Sequence, residues 1–154
     1  MKTETISRLS ITARYAETDM MGVIHHSVYP VWFEAGRTEL IHKLGMRYSD
    51  MEKSGLMLPL AKLSCSYHRP VQYEDTVTVE TRIHQVTAAR IEFCYRVLLE
   101  GEVMAEGSTV HGFVSSETFL PMNLKKTRPE WFEMFKTMEN DRWESYGSTS
   151  AIPQ

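Results

Sequence analysis

The chain has 154 residues and a formal net charge of −3 at pH 7. This length is enough for one domain with a core of its own, and the slight negative charge gives no electrostatic reason to expect nucleic acid or an anionic membrane as a partner. No apolar run approaches membrane-spanning length, and the N-terminus lacks the apolar segment of a signal peptide, so we expect a cytoplasmic protein. We expect a single domain over residues 1–144, followed by a small, polar and mobile tail over residues 145–154.

The spacing of apolar residues predicts mostly strands with one long helix. Residues 28–44 carry an aromatic stripe at i, i+3, i+4 spacing, which is typical of a helix packed deeply against a sheet. A capping box beginning at Thr127 predicts a second, short helix. Alternating apolar residues predict five strands. These strands cover residues 6–14, 58–68, 76–86, 90–99 and 103–114.

The order of these elements predicts the fold class. No helix separates the last three strands, so we expect them to form an antiparallel meander. A curved antiparallel sheet wrapped around one buried helix, an α+β architecture, satisfies every pattern. Cys65 and Cys94 lie in strand-like runs without C-x-x-C spacing, and we predict reduced core residues.

The junction between the first strand and the long helix carries the chemistry. It contains Asp19, Gly22, His26 and Tyr29, and it ends where a helix begins. Free backbone N–H groups and the positive end of a helix dipole therefore lie beside its acids. A carboxylate facing a helix N-terminus predicts a hydrolytic site, although an Asp in a loop is also often a solvated capping residue.

Other chemistries have weaker support in the same residues. Glu17 and Asp19 could form a paired-carboxylate glycosidase site only if they faced each other across a cleft. His25 and His26 lack further ligands at a recognised metal spacing, so we predict no metal. No G-x-S-x-G, Walker or dinucleotide motif is present. The remaining histidines lie in periodic runs and are predicted to be structural: His42, His68, His84 and His111.

Residues 15–29 and the helix start that follows resemble the 4-hydroxybenzoyl-CoA thioesterase type of hotdog-fold acyl-CoA thioesterase, and the related bacterial thioesterases associated with the Tol–Pal system. The motif is an Asp, then a Gly three, a His seven and a Tyr ten residues on, leading into an aromatic helix with Glu and Arg. The matching residues are Asp19, Gly22, His26, Tyr29, Glu34 and Arg37. Residues 67–71 and 73–75 resemble the family's second segment, and the resemblance covers approximately residues 6–125.

This resemblance implies a hotdog fold and hydrolysis of an acyl-CoA thioester. Asp19 would be the catalytic carboxylate and would either attack the carbonyl or activate a water. The backbone N–H of His26 would polarise that carbonyl, Gly22 would let the loop bend close to the acyl group, and Tyr29 completes the catalytic set. No cofactor is implied, because coenzyme A enters as part of the substrate.

The family's assembly implies a homodimer or homotetramer with sites between subunits. Open sheet edges support this expectation, with the 90–99 strand as one example of a long, lightly charged strand. Arg69 and Arg90 are candidates for the substrate's phosphates at the mouth of that cleft. A non-catalytic acyl-CoA or acyl-carrier-protein binding domain is the main alternative. A hydratase is disfavoured because the Asp-x-Asn-Pro-x-His pattern is missing.

Overall fold

The computed structural model describes residues 4–144. The predicted tail, residues 145–154, lies outside the described residues. The described chain contains seven strands, four helices and two short 3-10 turns. The strands are β1 (Ile6–Thr12), β2 (Leu56–Met57), β3 (Leu60–Tyr67), β4 (Thr76–Val86), β5 (Arg90–Leu99), β6 (Glu102–Gly112) and β7 (Val114–Ser115). The helices are α1 (Tyr29–Lys43), α2 (Tyr48–Lys53), α3 (Leu124–Thr127) and α4 (Pro129–Thr137).

A five-stranded sheet in the order β1-β4-β5-β6-β3 forms the body of the domain, and all of its pairings are antiparallel. The meander of β4, β5 and β6 confirms the predicted one, and the predicted hotdog architecture, a sheet around a central helix, is confirmed. The 90–99 strand, the example given of a long and lightly charged strand, is β5. It is not itself an edge of the sheet, because it pairs with a neighbour on each side. The outer strands are β1 and β3.

Helix α1 lies on the inner face of this sheet and begins and ends within one residue of its predicted bounds. Its buried face carries the predicted aromatic stripe, and the ring of Phe33 stacks on Tyr95 with centroids 4.5 Å apart. Gly36 brings the helix backbone close to β4. A Cβ at this position would stand 2.5 Å from Thr81 Oγ1 and 2.9 Å from Val79 Cγ1. Only a residue without a side chain permits this separation.

Beneath α1 a chain of polar side chains crosses the core. Arg37 donates to the hydroxyl of Tyr95, which lies 2.5 Å from Thr109 Oγ1, and His111 Nε2 lies 2.9 Å from the same Thr109 oxygen. Burial, with a smaller contribution from the nearby Arg37 charge, lowers the pKa of His111 to about 4. His111 is therefore a neutral, structural residue at neutral pH, as the sequence predicts.

Several local predictions need correction. Thr127 is not an N-cap, because it ends α3 and its hydroxyl donates to the Asn123 carbonyl, while Arg128 caps α4 without a side-chain bond. The predicted capping box is therefore wrong. The last strand breaks at Phe113 into β6 and β7. Both cysteines are free thiols but are half-buried.

None of the helices in residues 4–144 has the length and apolar character needed to cross a membrane.

Candidate active site

The loop between β1 and α1 is tied to the rest of the domain at its base. Ala13 exchanges two backbone hydrogen bonds with the loop that precedes β4, donating to Asp75 and accepting from Glu74. On the other side of the loop, Ile24 N–H donates to the Val71 carbonyl at 2.8 Å. The whole loop therefore lies at the end of the sheet where α1 begins.

Asp19 sits at the turn of this loop and is half-buried. Its Oδ1 accepts from the backbone N–H of Met21 at 2.8 Å and from that of Val23 at 3.4 Å. Within residues 4–144 no hydrogen bond engages Oδ2. One carboxylate oxygen therefore shapes the loop as a capping acid does, and the other stays available for chemistry.

A tight turn carries the chain from Asp19 to Val23. Gly22 N–H donates to the Asp19 carbonyl at 3.1 Å, and Asp19 N–H donates to Val23 O at 2.8 Å. Gly22 has a φ of +80°, a backbone conformation that an L side chain adopts only with strain. The predicted bend at Gly22 is thus present in the structure.

The start of the helix leaves one backbone donor open. A 3-10 turn, His26–Val28, leads directly into α1. His25 Nδ1 caps it by accepting from Ser27 N–H at 3.1 Å. The N–H of His26 has no hydrogen-bond acceptor in the described part of the chain. The family resemblance implies that this N–H polarises the carbonyl of the substrate.

Two tyrosines support the His26 backbone from behind. The hydroxyl of Tyr67 donates to the His26 carbonyl at 2.9 Å, and the rings of Tyr67 and Tyr29 meet edge to face. Desolvation, followed by a hydrogen bond with Cys65, raises the pKa of Tyr67 to about 12, so its phenol stays protonated. Tyr29 is only 3% exposed. Its ring supports this arrangement, and its direct part in catalysis stays a prediction.

The contact of Tyr67 with His26 is not predicted by the sequence, although Tyr67 belongs to the second segment of the resemblance, residues 67–71. Sequence alone offers no signal for it, because the two residues are 41 positions apart and meet only when the edge of the sheet reaches the helix start.

Glu17 faces the interior and does not share a cleft with Asp19. It is 8% exposed, and its carboxylate accepts from the backbone N–H of Arg14 at 2.8 Å and from the indole N–H of Trp32 at 3.2 Å. Its side chain is fully engaged inside the protein. This geometry removes the paired-carboxylate glycosidase alternative.

The two arginines considered for the substrate phosphates lie at opposite ends of the sheet. Arg69 follows β3 at the end near the Asp19 loop and forms an ion pair with Glu102 at 3.2 Å. Arg90 opens β5 and pairs with Gly112, at the other end. The length of β5 separates those ends by about 30 Å. Of these two arginines, therefore, Arg69 is the one that lies at the same end of the sheet as the Asp19 loop within one chain.

The described residues contain no group of three or more potential ligands that could hold a metal ion. The rings of His25 and His26 lie against each other with centroids 4.1 Å apart. His25 Nδ1 is already bonded to Ser27 at the helix start.

Comparison with known proteins agrees with this fold. The thioesterase-like superfamily model matches residues 13–139, and the chain belongs to that superfamily. In Bacillus subtilis (strain 168), a protein named "Putative acyl-CoA thioesterase YneP" is 37% identical over 132 residues, which cover 85% of this chain and 96% of that protein.

Solved structures show the same relationship. A structure titled as a DHNA-CoA thioesterase from Staphylococcus aureus superposes with a TM-score of 0.82 at 39% identity, covering 85% of this chain and 89% of the other. A Thermus thermophilus protein, described as hypothetical, gives a TM-score of 0.79 at 32% identity over 88% and 98% of the two chains. The chain is thus a hotdog-fold thioesterase, and the finer resemblance to the Tol–Pal-associated branch stays a prediction.

Proposed function

We propose that this protein hydrolyses acyl-CoA thioesters with Asp19 as the catalytic carboxylate. The observation that carries the proposal is that the short segment between β1 and α1 contains both a carboxylate oxygen, Asp19 Oδ2, and a backbone donor, His26 N–H, without hydrogen-bond partners in residues 4–144. Thioester hydrolysis needs both groups: a base or nucleophile, and a donor for the negative charge that develops on the carbonyl oxygen. The names of the Bacillus and Staphylococcus relatives support coenzyme A as the leaving group.

In this mechanism the thioester carbonyl accepts a hydrogen bond from His26 N–H. That N–H is already fixed at a helix start, so it stabilises the tetrahedral intermediate without reorganising. Comparable donors in other enzymes contribute about 3–4 kcal/mol. Asp19 Oδ2 either attacks the carbonyl carbon or takes a proton from an attacking water. When a water attacks, the tetrahedral intermediate expels the coenzyme A thiolate and leaves the free acid, and the proton held by Asp19 is released to the thiolate or to solvent. When Asp19 attacks, the thiolate leaves from an anhydride between Asp19 and the acyl group, and a water then hydrolyses that anhydride to the free acid and the Asp19 carboxylate.

We further propose that the active form is a homodimer or a pair of such dimers. Along β3, at the edge of the sheet, every residue but Cys65 is exposed, including three large side chains: Leu60, Leu63 and Tyr67. A long exposed edge of this kind is a template for pairing with another strand. Antiparallel pairing of β3 with its copy about a twofold axis would extend the sheet across both subunits.

This dimer would bring Arg69 of one subunit and Arg90 of the partner subunit to the same end of the joined sheet. The last residues of β3 in one copy would lie beside the first residues of β3 in the other. Because Leu60 pairs with His111, which in turn pairs with Ile91, Arg90 belongs to that first end. Arg90 of the partner subunit would then lie on the same side as Arg69 and the Asp19 loop. Sedimentation at micromolar concentration tests the assembly, and a fully active monomer would rule it out.

The central test of the activity is a hydrolysis assay over aliphatic and aromatic acyl-CoA thioesters, with DHNA-CoA in the panel and the released thiol detected. Asp19→Asn should remove nearly all turnover while keeping the fold. The amide oxygen can still accept from Met21 N–H, but the second position can no longer act as a base or nucleophile. Wild-type-like turnover in folded Asp19→Asn protein would reject Asp19 as the catalytic group.

His26→Ala separates the backbone from the ring. This substitution keeps the open N–H, so kcat should fall far less than in Asp19→Asn. Equal losses in the two variants would mean that the imidazole takes part in the chemistry.

A further inference from the structure

We infer that Glu17 is a positioning residue that fixes the Asp19 carboxylate relative to the His26 N–H. This inference rests on the proposed function and adds a residue that acts through others. Glu17 makes contact at three places. Its Oε1 accepts from the backbone N–H of Arg14, two residues after β1. Its Oε2 accepts from the indole N–H of Trp32 in α1 at 3.2 Å and from the Arg14 guanidinium at 3.5 Å. Its backbone carbonyl accepts from His25 N–H at 2.8 Å.

These contacts connect the loop that carries Asp19 to the helix start that carries His26 N–H. Trp32 lies in the first turn of α1, directly after the segment that carries His26 N–H. Asp19 lies two residues after Glu17, at the turn of the same loop. The loop closes on itself through the Thr18–Ile24 bridge, so Glu17 stands at the point where this small hairpin meets the helix. No other residue of the hairpin donates or accepts a side-chain hydrogen bond with α1 in the described part of the chain.

Both oxygens of Glu17 are needed for this role. The backbone N–H of Arg14 and the indole N–H of Trp32 point at separate oxygens, and the Glu17 side chain that carries these oxygens is buried. Glutamine at this position has the same shape but only one acceptor oxygen. Its NH2 group would face one of the two N–H donors, and the hairpin would have to shift to separate them. Displacing catalytic groups by about 1 Å can cost about 100-fold in rate.

The test compares Glu17→Gln with Glu80→Gln. Glu80 is a matched control, because it is 5% exposed and also accepts from two donors, Arg8 Nε at 2.9 Å and Arg96 Nε at 2.6 Å. It lies on the face of β4 opposite to the residues that contact α1. Both variants should lower the melting temperature. Only Glu17→Gln should lower kcat, by about 10- to 100-fold, with KM within about threefold.

Trp32→Phe removes the other partner of the same hydrogen bond. It should lower kcat in the same direction, and the double variant Glu17→Gln/Trp32→Phe should lose less than the product of the two single losses. If Glu17→Gln does not fold, the kcat of Trp32→Phe tests the inference in its place.

A second measurement does not depend on activity. Amide hydrogen exchange at Asp19 and His25 should accelerate in Glu17→Gln and stay unchanged in Glu80→Gln. The inference is overturned if these amides keep their protection, or if kcat falls no further in Glu17→Gln than in Glu80→Gln. If the wild-type protein hydrolyses none of the thioesters, the proposed function fails, and the exchange rates alone decide whether Glu17 positions the loop.

Discussion

Replacing Gly36 with alanine tests whether the close approach of α1 to the sheet sets the catalytic geometry. The added Cβ would lie 2.5 Å from Thr81 Oγ1 and 2.9 Å from Val79 Cγ1, both on β-branched and therefore stiff side chains of β4. To reach an ordinary 3.4 Å contact with Thr81, the helix must withdraw by about 0.9 Å.

Two effects of opposite sign act on stability. Overpacking of this kind costs about 1–3 kcal/mol, whereas alanine is better than glycine in a helix by about 1 kcal/mol. We expect the overpacking to prevail because neither contact is with the end of a flexible side chain, which leaves a net loss of up to about 2 kcal/mol. For a chain of this size that loss lowers the melting temperature by up to about 8 °C.

The same withdrawal moves His26 N–H away from the Asp19 loop, so kcat should fall by at least about tenfold. Thermal unfolding and steady-state hydrolysis measure the two effects. Gly112→Ala is the matched control, because no atom lies within 4 Å of a Cβ built there. A Gly36→Ala protein with wild-type stability and kcat would show that the helix–sheet spacing does not hold the site.

Three further substitutions probe the site and the core. Gly22→Ala should cost about 1 kcal/mol of stability because of its positive φ, and it should also lower kcat. Gly101→Ala is the matched control, since Gly101 has a φ of +83° and equally open space around a Cβ. It should cost the same stability and leave kcat unchanged. Equal kcat losses in those two variants would contradict a special role for the Gly22 turn. Tyr67→Phe removes the hydrogen bond to the His26 carbonyl, worth about 1 kcal/mol, so kcat should fall about fivefold, and an unchanged kcat would exclude Tyr67 as a support. His111 has a lowered pKa of about 4 against 6.5 for the free side chain, so the unfolded state binds more protons between these values and stability is lost as the pH falls from 6.5 towards 4. In His111→Gln, urea unfolding should show a shallower loss over that range, by up to about 3 kcal/mol, and an identical slope would refute the assignment.

The sequence could predict the elements whose patterns are long. The stripe on α1 repeats over four turns, and the alternation in β4 and β5 runs for ten residues or more. The predicted bounds of these elements therefore agree with the observed ones to within one residue. Helix α2 could not be found in this way. It has six residues and buries only Met51, which leaves no period to detect.

Spatial order was harder to predict than local structure. The predicted meander places β5 between β4 and β6, but nothing in the sequence says which strands lie outside this group. The outer strands are β1 and β3. The mixture of Ser, Lys and apolar residues in β3 predicts a strand without showing that it lies at an edge. Asp19 and His26 can be proposed from the sequence because both lie in one short segment that resembles a known motif. Glu17, with a partner 15 residues away in α1, received its role only from the folded chain.

In the Asp19 hairpin, the residues that hold Asp19 in place are different from those whose side chains can be replaced. Its base is tied to β1 and α1, while Met20 and Met21 at its tip are almost fully exposed, and of the two only Met21 makes a hydrogen bond in the described chain, through its backbone. Because backbone bonds do not depend on side-chain identity, almost any residue can occupy these two positions without disturbing Asp19. Libraries randomised at Met20 and Met21 are therefore a low-risk starting point for redesigning which thioesters the enzyme accepts.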